Sequence, residues 1–313
     1  MKIVRQAEDA GRFAVDRRVG YRIQAHHGIG VALTILLATA LGVTSGADSS
    51  GRRQKDVIEM PPGTAGAAGR REARNDLAVA SRKWGLAEVP IAAPAPPGRK
   101  PSVTFRPGFE VSGASSESLP PVFTTIPVQE KVVFLTIDDG AEKDPEFLTM
   151  IQDLRIPYTV FLSDYVTKEN YSYFKVMQKT GVSINNHTLN HRNLPGLSYE
   201  QQLREICGQQ DTVQRVFGKR PILFRPPYGA YNRNTLMAAK YCGIKYVPLW
   251  NAEAFPDRIE WRENRDLHPG DIILTHFRGR GQWKGSMADL VRHVMRVVTS
   301  RGYAIARLED YLA

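Results

Sequence analysis

From about residue 125 to its last residue the chain predicts an α/β fold, a parallel sheet covered by helices. Apolar, β-branched runs alternate with helical patterns about seven times, the signature of successive βα units. The runs, such as 132–137, lack in/out alternation and so read as strands covered on both faces. Asp138-Asp139, His187, Arg225, Trp250 and His276 each stand just after a run. That places them together at the C-terminal ends of strands, where α/β barrels carry their sites. A doubly wound sheet and a barrel both satisfy these observations.

Each element has a local reason. The strand over 132–137 stops at Asp138-Asp139-Gly140, where glycine supplies the turn. Asp144 caps the next helix and Pro145 opens it, with Phe147, Leu148, Ile151 and Leu154 on one face. A strand over 158–162 precedes a helix that runs from Asn170 to a stop at Gly181. The strand 182–184 leads into Asn185-Asn186-His187. Ser198 and Gln201 form a capping box for a long helix closed by Gly218. Strand 222–224 ends in Arg225-Pro226-Pro227-Tyr228-Gly229, and a helix spans 232–243. Strand 245–250 contains Pro248, which predicts irregular pairing. Pro269-Gly270 turns the chain into strand 271–276, Ser286 starts the final helix, and 303–306 is the last strand.

The remainder reads differently. Residues 1–47 are a basic region followed by an uncharged apolar run over 29–43, with Ser45-Gly46-Ala47 as a cleavage site. The run suits a signal peptide or an uncleaved membrane anchor, with the arginine flank inside and the rest exported. Residues 48–124 are Pro-, Ala- and Gly-rich and are expected to be a largely disordered linker, with a short helical pattern over 71–84. Residues 125–313 are the α/β unit and are expected to carry the site.

The net charge of +10 and pI near 9.6 suit an anionic cell envelope. Nucleic acid is excluded as a partner, because no recognition motif is present and the basic residues are spread along the chain. The two cysteines, Cys207 and Cys242, fit no zinc-finger spacing; they are two buried thiols or, in an exported domain, one disulfide.

His187-Thr188-Leu189-Asn190-His191 sets two imidazoles four residues apart, which on a helical turn would put both on one face. Two imidazoles and a carboxylate suit zinc and leave a coordination position open. Thr188 stands where the zinc-protease pattern has its glutamate, so a base must come from elsewhere. The neighbouring Asp138-Asp139 pair can divide the labour, one carboxylate on the metal and one as general base. Arg225 can pair with a carboxylate, the Tyr228 N–H is an oxyanion donor after two prolines, and His276 can protonate a leaving group.

In order along the chain, Thr136-Ile137-Asp138-Asp139-Gly140, His187-Thr188-x-x-His191, Arg225-Pro226-Pro227-Tyr228-Gly229 and Leu274-Thr275-His276 resemble the motifs of the polysaccharide deacetylases, carbohydrate esterase family 4, the NodB homology domain. The resemblance covers residues 125–313. It implies a distorted (β/α)7 barrel and a divalent metal, usually zinc, on Asp139, His187 and His191. It further implies Asp138 as base oriented by Arg225, His276 as acid, Tyr228 N–H at the oxyanion, and Trp250 and Leu274 around the acetyl methyl. The substrate implied is an N-acetylated polysaccharide, peptidoglycan or a chitin-like polymer of N-acetylglucosamine. The alternatives are an O-acetyl esterase on the same site and a non-catalytic glycan-binding barrel. The enzyme is expected to be monomeric, and secreted or tethered to the outer face of the cytoplasmic membrane. The sequence departs from the family after strand 245–250, where Glu253 or Asp257 is left to tether His276, and Arg192 replaces a common proline. Arg278, Arg280, Trp283 and Lys284 are placed to edge a groove.

Overall fold

The computed structural model describes residues 64–112, 119–263 and 265–313. The apolar run over 29–43, expected to be a signal or anchor, lies outside them. Among the described residues no helix is long and apolar enough to cross a membrane.

In chain order the elements are α1 (Thr64–Lys83), β1 (Val122–Phe123), β2 (Val132–Asp139), α2 (Pro145–Asp153), β3 (Thr159–Leu162), α3 (Asp164–Thr167), α4 (Tyr171–Lys179), β4 (Ile184–Asn186), α5 (Tyr199–Phe217), α6 (Arg233–Tyr241), β5 (Val247–Pro248), β6 (Ala252–Ala254), β7 (Ile259–Trp261), β8 (Ile272–His276), α7 (Met287–Ser300) and β9 (Ala304–Ala306). The caps expected at Asp144 and Ser198 are present, and the helices expected to start at Asn170, Asn232 and Ser286 are capped by those residues as well. Asp144 and Asn170 accept from the first turns of α2 and α4, and Ser198, Asn232 and Ser286 head capping boxes on α5, α6 and α7.

β2 is the axis of the sheet. All its residues are buried, and it pairs in parallel with β3, β8 and β9. The sheet runs β4-β3-β2-β8-β6-β7, and β7 returns antiparallel to β6. On the far side of β4, parallel bridges from Asn186 to Phe224 and from Leu223 to Tyr246 lead to the β1–β5 ladder. Bonds from Leu249 N to Phe123 O, Ile272 N to Thr124 O and Asn251 N to Ile272 O tie that ladder back to β8. The wall therefore closes, and it is irregular where Pro248 and the 222–224 segment make single bridges instead of full ladders.

Of the segment expected to be a largely disordered linker, residues 64–112 and 119–124 are described. Its C-terminal part carries α1 and then runs against the α/β unit. The Trp84 indole donates to Asp153 Oδ2 at 2.8 Å, and Lys100 Nζ to Asp310 O at 2.6 Å. Arg106 binds Thr124 and Glu263, and the Tyr231 hydroxyl donates to Phe109 O. Average composition hid these anchors: Trp84, Phe105 and Phe109 are few, but each finds an apolar cluster.

Cys207 on α5 and Cys242 at the end of α6 form a disulfide, which settles the two open alternatives for this pair. The bridge closes a loop with a sequence separation of 35. Replacing both by serine is expected to cost about 3–4 kcal/mol, read as a lower denaturant midpoint that reductant no longer affects.

Candidate active site

Two adjacent carboxylates reach the pocket because the end of β2 turns sharply. Asp138 faces His276 across the β2–β8 ladder. Asp139 takes φ of 73°, so the backbone leaves the extended path of β2 at that residue. Gly140 follows with φ of 93°, and a Cβ there would come within 2.5 Å of Thr167 Cγ2, so the turn requires glycine.

The two histidines converge by a route other than the expected helical turn. Residues 187–193 form a loop in which Thr188 and His191 adopt φ of 69° and 52°. The loop is pinned from outside. Asn186 Oδ1 accepts from Thr188 N at 2.9 Å, and the Glu205 carboxylate accepts from Asn190 N at 2.9 Å and Asn190 Nδ2 at 3.0 Å. Short polar side chains at 186, 188 and 190 compete with helix formation by bonding nearby backbone. Asp139, Thr188, His191 and Tyr228 are all non-glycine residues with positive φ, and this clustering of strain marks a functional site.

His191 Nε2 lies 3.2 Å and His187 Nε2 3.5 Å from Asp139 Oδ1. The ligand atoms of Asp139, His187 and His191 fall within 4.8 Å of one another. Asp139 Oδ1 is buried and has no hydrogen-bond partner, an uncommon state for a carboxylate oxygen. His187 Nδ1 is 2.7 Å from Arg225 O, which fixes the proton on Nδ1 and turns the Nε2 lone pair toward Asp139. Two imidazoles, one ionised carboxylate and an orphaned oxygen fit a divalent cation. Burial alone would raise the Asp139 carboxyl, but the facing imidazoles of His187 and His191 hold it well below the usual carboxylate range. For His187 burial pulls the pKa down and loses to the carboxylates of Asp138 and Asp139, which raise it.

Asp138 is organised by a buried guanidinium. Arg225 is wholly buried and donates from Nη1 to Asp138 Oδ1 at 2.8 Å and to Thr136 Oγ1 at 2.9 Å. Its Nε donates to Pro248 O at 2.8 Å, and its plane lies 4.4 Å from the Phe161 ring centroid. With Oδ1 occupied, Asp138 Oδ2 faces the site, 3.7 Å from His187 Nε2. Tyr228 sits in a tight turn, Pro227–Gly229, with its ring 4.8 Å from that of His191. Trp250 packs over Gly229, whose added Cβ would meet Trp250 at 3.0 Å, and Leu274 is buried in β8.

The open choice of tether for His276 resolves onto Glu253. Its Oε1 is 3.6 Å from His276 Nδ1, whereas Asp257 pairs with Arg258. Burial pushes the His276 imidazole down to about 4 against the pull of Asp139 and Asp138. Phe161 looks like an ordinary strand residue in the sequence; its register opposite Asp138 on the neighbouring strand gives it its role.

A family profile described as polysaccharide deacetylase matches residues 125–247. An uncharacterized protein of Streptomyces coelicolor is 40% identical over 196 residues, covering 62% of this chain and 78% of its own length. The chain belongs to the polysaccharide deacetylase family. The peptidoglycan-N-acetylmuramic acid deacetylase PdaA of Bacillus subtilis is 26% identical over 200 residues, 59% of this chain and 72% of that protein. The crystal structure of a peptidoglycan N-acetylglucosamine deacetylase shares the fold with a TM-score of 0.55 at 24% identity, over 63% of this chain and 95% of that one. As a polysaccharide deacetylase the chain carries Asp138 and His276 side by side at the C-terminal ends of β2 and β8.

Proposed function

We propose that this polysaccharide deacetylase is a metal-dependent hydrolase that removes acetyl groups from an N-acetylated envelope glycan. One observation carries the reading: a three-donor set closed around an orphaned carboxylate oxygen, with a second carboxylate held beside it by a buried arginine. A divalent ion on Asp139, His187 and His191, zinc by the chemistry of the donors, would polarise the acetyl carbonyl and acidify the attacking water. Asp138 accepts the proton of that water through Oδ2, since Oδ1 is committed to Arg225. The Tyr228 N–H donates to the oxyanion. The amide C–N bond then breaks, and His276 delivers a proton to the departing amine, giving acetate and a free amino sugar. Burial keeps His276 neutral at rest, so it takes up a proton from solvent before passing it to the amine, and the proton held by Asp138 returns to solvent once acetate leaves, with Glu253 beside Nδ1 to stabilise the transient imidazolium. Trp250 and Leu274 wall the space for the acetyl methyl.

The printed substrates of the relatives, peptidoglycan units, support a cell-wall glycan as the polymer. The Cys207–Cys242 disulfide supports an oxidising location, outside the cytoplasmic membrane and either secreted or tethered to its outer face. Acetate release from peptidoglycan and from N-acetylglucosamine oligomers tests the activity. Chelation is expected to bring release to background and added zinc to restore it. His191→Ala is expected to lose the bound metal as measured by elemental analysis. Release that is indifferent to chelator overturns the reading.

A further inference from the structure

A turn ahead of the α/β unit reaches the wall of the site. Arg106-Pro107-Gly108-Phe109 has the form of a type II turn: Pro107 opens it, Gly108 takes φ of 82°, and Phe109 N donates to Arg106 O at 3.0 Å. The Glu110 carboxylate accepts from Gly108 N at 2.7 Å, and Arg106 N donates to Val122 O of β1 at 2.8 Å. So held, Phe109 meets two guanidiniums, with Arg106 Cζ 5.3 Å and Arg262 Cζ 5.5 Å from its ring centroid.

Arg262 carries the contact on to Trp250. Its Nε donates to Trp250 O at 3.0 Å, its backbone N to Asn251 O at 2.9 Å, and its Cζ lies 5.8 Å from the Trp250 ring centroid. The same ring meets Gly229, where a Cβ would lie 3.0 Å from Trp250 Cη2, and the Arg225 that holds Asp138. The Tyr231 hydroxyl donates to Phe109 O, so the turn also grips the segment that follows Gly229. Trp250 lies between β5 and β6 and belongs to neither strand. Backbone bonds at Leu249 and Asn251 fix the chain on either side of it, and the place of its half-buried ring is left to these side-chain neighbours.

We propose that Phe109 and Arg262 are positioning residues for Trp250: together they set how far its ring reaches into the acyl space, and so confine the site to an acyl group of two carbons. This rests on the deacetylase reading above, in which Trp250 walls that space. A propionyl group adds one methylene. A pocket with a held wall discriminates one methylene by roughly 10- to 200-fold, and a wall that can give way discriminates less. Two of the residues that hold this wall, Arg106 and Phe109, precede the α/β unit, so the turn contributes to selectivity without touching substrate.

The test assays the full chain, metal-loaded, on N-acetyl and N-propionyl glucosamine oligomers of equal length. In the wild type, kcat/KM is expected to favour acetyl by about tenfold or more. Phe109→Ala is expected to cut that preference by about fivefold or more, chiefly through a lower KM for the propionyl oligomer, and Phe109→Tyr to keep it. Arg262→Gln is expected to act as Phe109→Ala does and serves if the latter does not fold. General loss of folded protein lowers both rates alike and leaves their ratio in place, so the ratio reads the wall. Equal rates on the two oligomers in the wild type, or a wild-type ratio in both Phe109→Ala and Arg262→Gln, overturns the proposal. Fluorine NMR of protein labelled with 5-fluorotryptophan follows the ring itself, with the Trp250 resonance assigned by its loss in Trp250→Phe. That resonance is expected to shift in Phe109→Ala and to return in Phe109→Tyr; a resonance that does not move overturns the proposal. Release of acyl groups from neither oligomer defeats the deacetylase reading instead, and the fluorine resonance still decides whether Phe109 and Arg262 hold Trp250.

Discussion

Asp138→Asn is expected to lower kcat for acetate release by about three orders of magnitude, in the middle of the range a positioned general base contributes. The substitution keeps size and shape, so the pocket stays filled. It removes only the capacity to accept a proton at Oδ2, the oxygen left over after Arg225 takes Oδ1. Asp139, His187 and His191 are untouched, so the bound metal, measured per protein, is expected to stay near the wild-type value. KM is expected to move little, because Asp138 acts on the attacking water. A variant with more than about a tenth of wild-type kcat would remove Asp138 from the role of base. Loss of metal together with activity would instead move Asp138 into the ligand set.

The strand ends were legible because their signal is local. A six-residue run ahead of Asp138, apolar except for Thr136, reads as a buried strand, and the carboxylates that follow emerge at its end. The helix starts were legible for the same reason, since Asp144, Asn170, Ser198, Asn232 and Ser286 cap their own first turns. The tertiary pairings were not. Glu253 rather than Asp257 faces His276 because the short β6 is parallel to β8 and sets Glu253 opposite Leu274. Nothing in the composition of 251–257 announces that register. The His187–His191 spacing suits a helical turn, but spacing alone says which residues meet and not by what backbone path. The loop is set by Asn186 and Glu205, the latter from another element. Phe109 shows the same limit. In sequence it is one aromatic in a proline-rich run, and in space it lies near the guanidinium of Arg262, which also stacks on Trp250.

Arg225→Met is expected to destabilise the fold by about 3–5 kcal/mol, a fall in Tm on the order of 10 °C, while also lowering activity. The size of the effect follows from what stays behind. Arg225 is wholly buried, and Asp138 beside it is nearly so. The pair itself need contribute little net stability, because desolvating both charges offsets their attraction. Removing the cation alone strands a carboxylate among apolar strands and leaves Pro248 O and Thr136 Oγ1 without the donors they now have. Combining Arg225→Met with Asp138→Asn removes the stranded charge, so the double variant is expected to unfold at a higher temperature than Arg225→Met alone, although it has lost more of the native pair. That inversion separates electrostatics from packing. If Arg225 acted only as bulk filling the space over Phe161, the second substitution would bring no recovery.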